Sequence, residues 1–175
     1  RDSTLFLMLV KCSWQHLSGA CLVLVPYGPD KDSIGLLAPD GTIICPPGND
    51  TSLEANRNEA LKALQTKEID FVAFMDDDTF VDQQWLDEML KAAKGSQDIA
   101  AFASVVRTYG SSDIQACGHV LKGAAPHDVL SGAQEPLCPC GNCAFVRWPA
   151  IKRIAERDSF IWDPRFNQWQ TCFDF

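Results

Sequence analysis

Five apolar residues, Phe71-Val72-Ala73-Phe74-Met75, run without interruption into three carboxylates, Asp76-Asp77-Asp78. An unbroken apolar run of this length fits a strand buried on both faces, as in a parallel sheet. Ligands of open α/β sheets bind outside the carboxyl ends of the strands, so the abrupt acidic end marks the candidate site. Three neighbouring carboxylates repel one another unless a cation compensates them. Asp76 and Asp78 alternate in direction on an extended backbone, but a turn brings both to one ion. A small set of oxygen-only ligands suits Mg²⁺ or Mn²⁺, completed by water and substrate phosphate. The competing interpretation is a solvated acidic turn that leads into the next helix.

The rest of the chain alternates in a way that gives such a strand neighbours. Ala20–Val25 predicts a strand, ended by Pro26, Gly28 and Pro29, and Thr42-Ile43-Ile44-Cys45 predicts a second. In Thr51-Ser52-Leu53-Glu54 a hydroxyl is followed three residues later by Glu, the pattern of a capping box. The helix it opens carries Leu53, Ala60, Leu61 and Leu64 on one face. After the acidic turn, Val81, Trp85, Met89 and Leu90 predict another helix, and Ile99 to Val106 a further strand. Residues 109–139 are loose and rich in Gly, Ser, Pro and Ala, predicting long loops and short strands over the site face. Ala144–Arg147 reads as a strand, and Trp148-Pro149 opens a helix with Ile151, Ile154 and Ala155 inward. Near the start, Leu5, Leu9 and Trp14 fall at near-helical spacing. Strands alternating with helices predict an α/β fold: a Rossmann-like, mostly parallel sheet with 71–75 central and helices on both faces.

The 175 residues suffice for one domain with a sizeable core, and 1–175 is read as a single domain. A net charge of −8 argues against a nucleic-acid partner. No stretch approaches the ~20 apolar residues of a membrane span. Leu5–Val10 lacks the basic flank of a signal peptide, so the expected location is cytoplasmic, with or without peripheral membrane association. Among the eight cysteines, Cys12, Cys21 and Cys45 read as small buried hydrophobes. The denser Cys138-Pro139-Cys140-Gly141-Asn142-Cys143 admits a zinc site completed by Cys117 or His119, or a disulfide. Reduced thiols fit the irregular spacing better.

Asn56-Arg57-Asn58, Met75-Asp76-Asp77-Asp78, Trp85-Leu86 with Met89-Leu90, Gly141–Arg147, Phe160–Phe166 and Thr171–Phe175 follow one another in a fixed order. That ordered set resembles the family 2 glycosyltransferases with the GT-A fold, over nearly the whole chain. Arg57-Asn58 resembles the family's Arg-Asn before its central strand, and Asp76–Asp78 its D-x-D. Phe160–Phe166 resembles its F-D-E-x-F segment, and Thr171–Phe175 its E-D-x-D-[LF] segment. The resemblance implies transfer of a sugar, hexosyl or rhamnosyl, from a nucleotide-sugar donor to a hydroxyl of a glycan or lipid-linked acceptor. It implies a Mn²⁺ or Mg²⁺ ion held through Asp78, with Arg57, Asn58, Asp76 and Asp77 on the nucleotide side. It also implies a catalytic base, for which Asp174 is the acid present. The departures are specific. The family's first strand is missing or truncated here, and Pro26-Tyr27-Gly28-Pro29 stands where a second strand usually ends in Asp. Thr171 and Cys172 stand where the Glu-Asp pair falls, and neither is a base for a hydroxyl. A truncated or divergent member, incomplete at both ends, is the expectation.

Several of these residues also have structural readings. Arg57 and Asn58 can be a polar helix face. Arg147 can pair with Asp174, contact a diphosphate, or form a structural ion pair. His119 can face a phosphate or sit satisfied in a loop. Trp162 and Trp169 can stack on a sugar or fill the core, and Asp163 reads as a turn cap. Two other functions compete. A non-catalytic nucleotide-sugar-binding module would explain Thr171-Cys172. A haloacid-dehalogenase-type phosphatase would use Asp76 as nucleophile and Asp78 as acid and base, although that motif usually lies near the chain start.

Overall fold

The computed structural model describes residues 15–17, 19–26, 38–46, 52–75, 79–116, 119–122, 125–128 and 143–159. The acidic triplet 76–78, residues 1–14, Cys138, Cys140 and the segment 160–175 with Asp174 lie outside the described residues. The described elements fall into two compact units.

In the first unit, β1 (Val23–Leu24) pairs in parallel with β2 (Ile43–Ile44), Val23 opposite Ile43 and Leu24 opposite Ile44. Both strands are shorter than the sequence predicts. β2 follows a tight turn in which the Thr42 N–H donates to the Pro39 carbonyl at 3.2 Å. Gly41, at φ +82°, takes the left-handed position that a turn of type II requires. Helix α1 (Leu53–Leu64) begins at Ser52, whose Oγ accepts the Ala55 N–H at 3.1 Å. The cap is therefore Ser52 rather than Thr51, and Glu54 falls only two residues beyond it. Leu61 and Leu64 are buried, as the helical spacing predicts. Cys45 is buried but Cys21 is exposed, which corrects the expectation for Cys21. Burial, and secondarily the negative charge of Glu59, push the Cys45 thiol above its ordinary range.

The second unit holds a three-stranded sheet in the order β3 (Phe71–Met75), β9 (Cys143–Arg147), β4 (Ala101–Ala103). Both outer strands run antiparallel to β9. The α/β class holds, but strand direction departs from the mostly parallel expectation: among the described residues only β1 and β2 pair in parallel. Among the described strands of this sheet, β9 is the central one. Ala144, Phe145 and Val146 are 0%, 3% and 1% exposed, with ladder partners on both sides. β3 has one described partner, and its Ala73 is exposed.

Helix α2 (Trp85–Gly95) packs Met89 and Ala93 on Phe145, with Phe71, Trp85, Leu86, Leu90 and Phe102 around them. Phe145 stacks on Phe71 with centroids 4.7 Å apart and meets the Trp85 ring edge-on at 5.9 Å. Such aromatic geometry adds to the burial of the rings themselves. The opposite face of the sheet is also buried at Val72, Phe74, Ala144 and Val146. Helix α3 (Trp148–Asp158) follows β9 directly, with Pro149 in its first turn, where a missing N–H costs nothing. Trp148 and Ile151 are buried, as expected of this helix's inner face, while Ile154 and Ala155 are half-buried.

The expected strand from 99 to 106 is divided. After β4 the ladder is interrupted at Ser104 and Val105, and the chain enters a hairpin, β5 (Val106–Arg107) with β6 (Ile114–Ala116). Tyr109, 84% exposed, lies in the turn between them. A second hairpin pairs β7 (His119–Lys122) with β8 (Ala125–Asp128). These are the short strands anticipated for the 109–139 region. No helix among the described residues is long and apolar enough to cross a membrane.

Candidate functional site

The acidic triplet follows Met75, the last residue of β3. Register places Met75 opposite Cys143 and Ala103 opposite Ala144. Because β3 and β4 both oppose β9, they run parallel to each other, and their carboxyl ends share one end of the sheet. The triplet therefore departs from the sheet end that open α/β folds reserve for ligands. Beyond it, Thr79 is half-buried, Phe80 is exposed and Val81 is buried. Asp82 then accepts the Gln84 N–H at 2.9 Å, a local turn that leads into α2.

At the same sheet end, the Trp85 indole N–H donates to Ser104 Oγ at 2.7 Å, and that hydroxyl lies 3.7 Å from Met89 Sδ as its donor. Trp85 and Met89 are four residues apart, so one face of α2 holds the residue that follows β4. Nothing in the sequence pairs Ser104 with Trp85; only the folded sheet brings them together.

Arg147 is at the other end. It pairs with Phe71, four residues from Met75, or about 13 Å along an extended strand. Its Nε donates to the Ile99 carbonyl at 2.8 Å, and its Nη2 to the carbonyls of Ala93 and, at 3.0 Å, Ser96. The guanidinium sits 5.3 Å from the Phe71 centroid and 5.7 Å from that of Phe102. The Ala93 carbonyl lies in the last turn of α2, Ser96 follows the helix directly and Ile99 leads into β4, so Arg147 ties the end of α2 to the start of β4. Among the described residues Arg147 serves as a cap of backbone carbonyls; Asp174, its other sequence-allowed partner, lies outside them. A shallow cavity of ≈ 260 Å³ lies at this same end, lined by Asp70, Phe71, Ala93, Lys94, Gln97, Arg147 and Pro149. It is at the end of the sheet opposite Met75.

In the first unit, Arg57 is 8% exposed and Asn58 is half-buried. Arg57 shares the buried stripe of Leu61 and Leu64, so the solvated-face reading fails for it. Around it, Ser52, Glu54 and Asn56 are also buried, the carboxylate of Glu54 being in a residue only 2% exposed. Glu54 Oε2 accepts no hydrogen bond among the described residues. Asn56, Arg57 and Asn58 all have interaction partners. Polar groups so placed are retained against a desolvation cost of a few kcal/mol, roughly 1–3 on protein scales, which marks this helix start as more than a cap. The sequence singled out Arg57 and Asn58 as site candidates, whereas Glu54 entered only as a capping-box residue and Asn56 only as the first residue of Asn56-Arg57-Asn58. Their signal was available: polar residues clustered at the head of an apolar stripe.

Of the remaining candidates, Asp76, Asp77, Asp78, Asp174, Asp163, Trp162 and Trp169 lie outside the described residues, and His119 is described only as part of β7. No cluster of three or more metal-ligating side chains occurs among the described residues. Of the proposed cysteine site, only the backbone of Cys143, heading β9, is described.

A strand followed in sequence by a carboxylate triplet, a capped helix bearing buried Arg57 before it in the chain, and an antiparallel strand between β3 and β4 describe an α/β protein. The model of glycosyl transferase family 2 matches residues 37–154, about two thirds of the chain. The chain belongs to that family, and its fold is GT-A. The matched segment runs from before β2 through α1, the triplet and β9 into α3, and ends before the segments around Phe160 and Asp174. A comparison with curated proteins finds no match. Family membership sets aside the phosphatase reading.

Proposed function

We propose that this domain binds a nucleotide-sugar through a divalent cation at the acidic triplet and transfers the sugar to an acceptor hydroxyl. One observation carries the proposal: within the matched family segment, the triplet leaves the carboxyl end of a strand in the buried sheet. The donor chemistry fits the ion. Three carboxylates without nitrogen or sulfur ligands suit Mn²⁺ or Mg²⁺, and their mutual repulsion favours taking one up. Such an ion would neutralise charge growing on the diphosphate leaving group.

Asp78 is the proposed ligand, with Asp76 and Asp77 toward the nucleotide. Arg57 and Asn58 are proposed to support the nucleotide side. Asp174 is the proposed base, taking the acceptor's proton as the new bond forms on the face opposite the leaving diphosphate. A hexosyl or rhamnosyl donor and a glycan or lipid-linked acceptor complete the proposal, in a single domain acting in the cytoplasm or at a membrane surface.

The test is a thermal-shift panel of UDP, GDP and dTDP with and without Mn²⁺, followed by nucleotide release from the corresponding sugars. A ligand at a hundredfold excess over its dissociation constant stabilises by about 2.7 kcal/mol, an easily read shift. Mn²⁺-dependent stabilisation by one nucleotide is expected, with release that is lost in Asp174→Asn. No stabilisation by any of them refutes donor binding. Binding without release, with release appearing only in Cys172→Asp, would give the base position to residue 172 and leave this chain a binding module.

A further inference from the structure

We propose that Glu54 is a binding residue for the nucleoside, its carboxylate accepting a hydrogen bond from a ribose hydroxyl or a base N–H. This rests on the nucleotide-sugar reading given above. Within the first unit, β1 and β2 run parallel, so their carboxyl ends share one end of the pair. The chain leaves β2 at Ile44, enters α1 through Ser52, and lays α1 against β1. The head of α1 therefore follows the carboxyl end of a parallel pair, the end where open α/β folds take ligands.

At that head a carboxylate oxygen is buried and open. Glu54 is 2% exposed, and its Oε2 accepts no hydrogen bond among the described residues. The capping oxygen comes from Ser52, which takes the Ala55 N–H, and not from Glu54. The positive end of the helix dipole favours the charge of Glu54 but gives that oxygen no donor. An open, buried acceptor costs stability, and an apolar side chain of similar volume would remove the cost. Groups retained at such a cost gather where a ligand completes them. The chemistry of the group narrows the ligand. An ionised carboxylate accepts and does not donate, and it repels a diphosphate. What a nucleotide offers such a group is a ribose hydroxyl or a ring N–H of the base. Arg57, proposed for the nucleotide side, lies three residues on, shares that helix face and is itself buried.

Full-length Glu54→Met and Glu54→Gln test this. Met fills nearly the same volume and removes the acceptor, whereas Gln keeps an acceptor oxygen without the charge. Thermal melting without nucleotide and calorimetric titration with UDP, GDP and dTDP in the presence of Mn²⁺ are the first readouts. The diphosphate that binds wild type is then compared with its 2′,3′-dideoxy analogue and with its analogue methylated at the ring N–H of the base. Glu54→Met should melt at or above wild type, because an open buried acceptor is gone. Its affinity should fall about tenfold or more, the value of a hydrogen bond to a charged group, and that of Glu54→Gln should fall less. One analogue should lose a similar factor on wild type and little on Glu54→Met, which names the donor as ribose or base. A Met variant that melts below wild type, an unchanged affinity in Glu54→Met, or analogue losses equal on variant and wild type overturns the proposal and leaves nucleotide binding standing. Wild-type protein that binds none of the three diphosphates overturns both.

Discussion

Replacing Arg147 by Met removes a charged cap while keeping most of the stem that lies between Phe71 and Phe102. Three donated bonds are lost, to the carbonyls of Ala93, Ser96 and Ile99, together with two ring contacts. A hydrogen bond is worth about 0.5–1.5 kcal/mol net and an exposed cation–π contact about 0.5–1, and neighbouring terms do not add fully. Met also leaves those carbonyls without the donors that Arg147 supplies. We expect a loss of about 3 kcal/mol, with the principal term coming from the bonds. For a chain of this size that lowers Tm by roughly 6–12 °C. Urea unfolding followed by circular dichroism should show a lower midpoint with an unchanged slope, since the area exposed on unfolding is nearly the same. Arg147→Lys should fall between the two, because an ammonium neither spans three carbonyls nor lies flat on a ring. At a temperature where Arg147→Met is folded, nucleotide binding should match wild type. A variant with a Tm within about 2 °C of wild type, or one that is stable but has lost nucleotide binding, refutes the capping role.

Asp78→Ala should abolish Mn²⁺-dependent binding of nucleoside diphosphate in calorimetry while leaving Tm unchanged or slightly higher, because one member of a like-charged cluster is gone. Ser52→Ala should cost about 1 kcal/mol, read as a lower urea midpoint, since Ala cannot accept the Ala55 N–H. The Cys45 thiol has its pKa raised by burial. Its contribution is fully present below the unfolded-state pKa and is lost as pH rises through the folded one, because the unfolded chain then holds the thiolate more readily. Stability should therefore fall with rising pH in the alkaline range, and Cys45→Ala should show a shallower fall by denaturation at stepped pH.

The strand 71–75, the helix start after Ser52 and the helix opening at Trp148-Pro149 were all legible, because each rests on a local rule. An apolar run, a cap and a proline in the first turn act within a few residues. What failed was non-local. Cys143–Arg147 is a run much like Phe71–Met75, and nothing within it says that it lies between two other strands or runs against them. Pairing decides this, and pairing is written in residues forty and seventy positions away. Arg147 shows the same limit. Its partners are carbonyls, which carry no residue identity, so no sequence pattern can name them. The break between β4 and β5 was hidden because Ser104, whose hydroxyl accepts from Trp85, is a small residue in an otherwise strand-like run.

The sheet has two ends with separate work. At the Phe71 end, Arg147 closes the C-terminus of α2, and the Trp148 N–H donates to the Asp70 carbonyl at 2.9 Å, fastening the start of α3 to the start of β3. At the Met75 end, the chain runs on in sequence into three carboxylates that repel one another. Charge concentrated for binding costs stability where it sits, and that cost is tolerable when the elements carrying it are fastened elsewhere. Substitutions should therefore sort by position along β3 and β9. Those near Phe71 and Arg147 should change unfolding free energy with little effect on ligand affinity. Those near Met75 and the triplet should change affinity with little effect on unfolding. A domain with one mixed end would show both effects at every position, so the two readouts plotted against each other distinguish the arrangements directly.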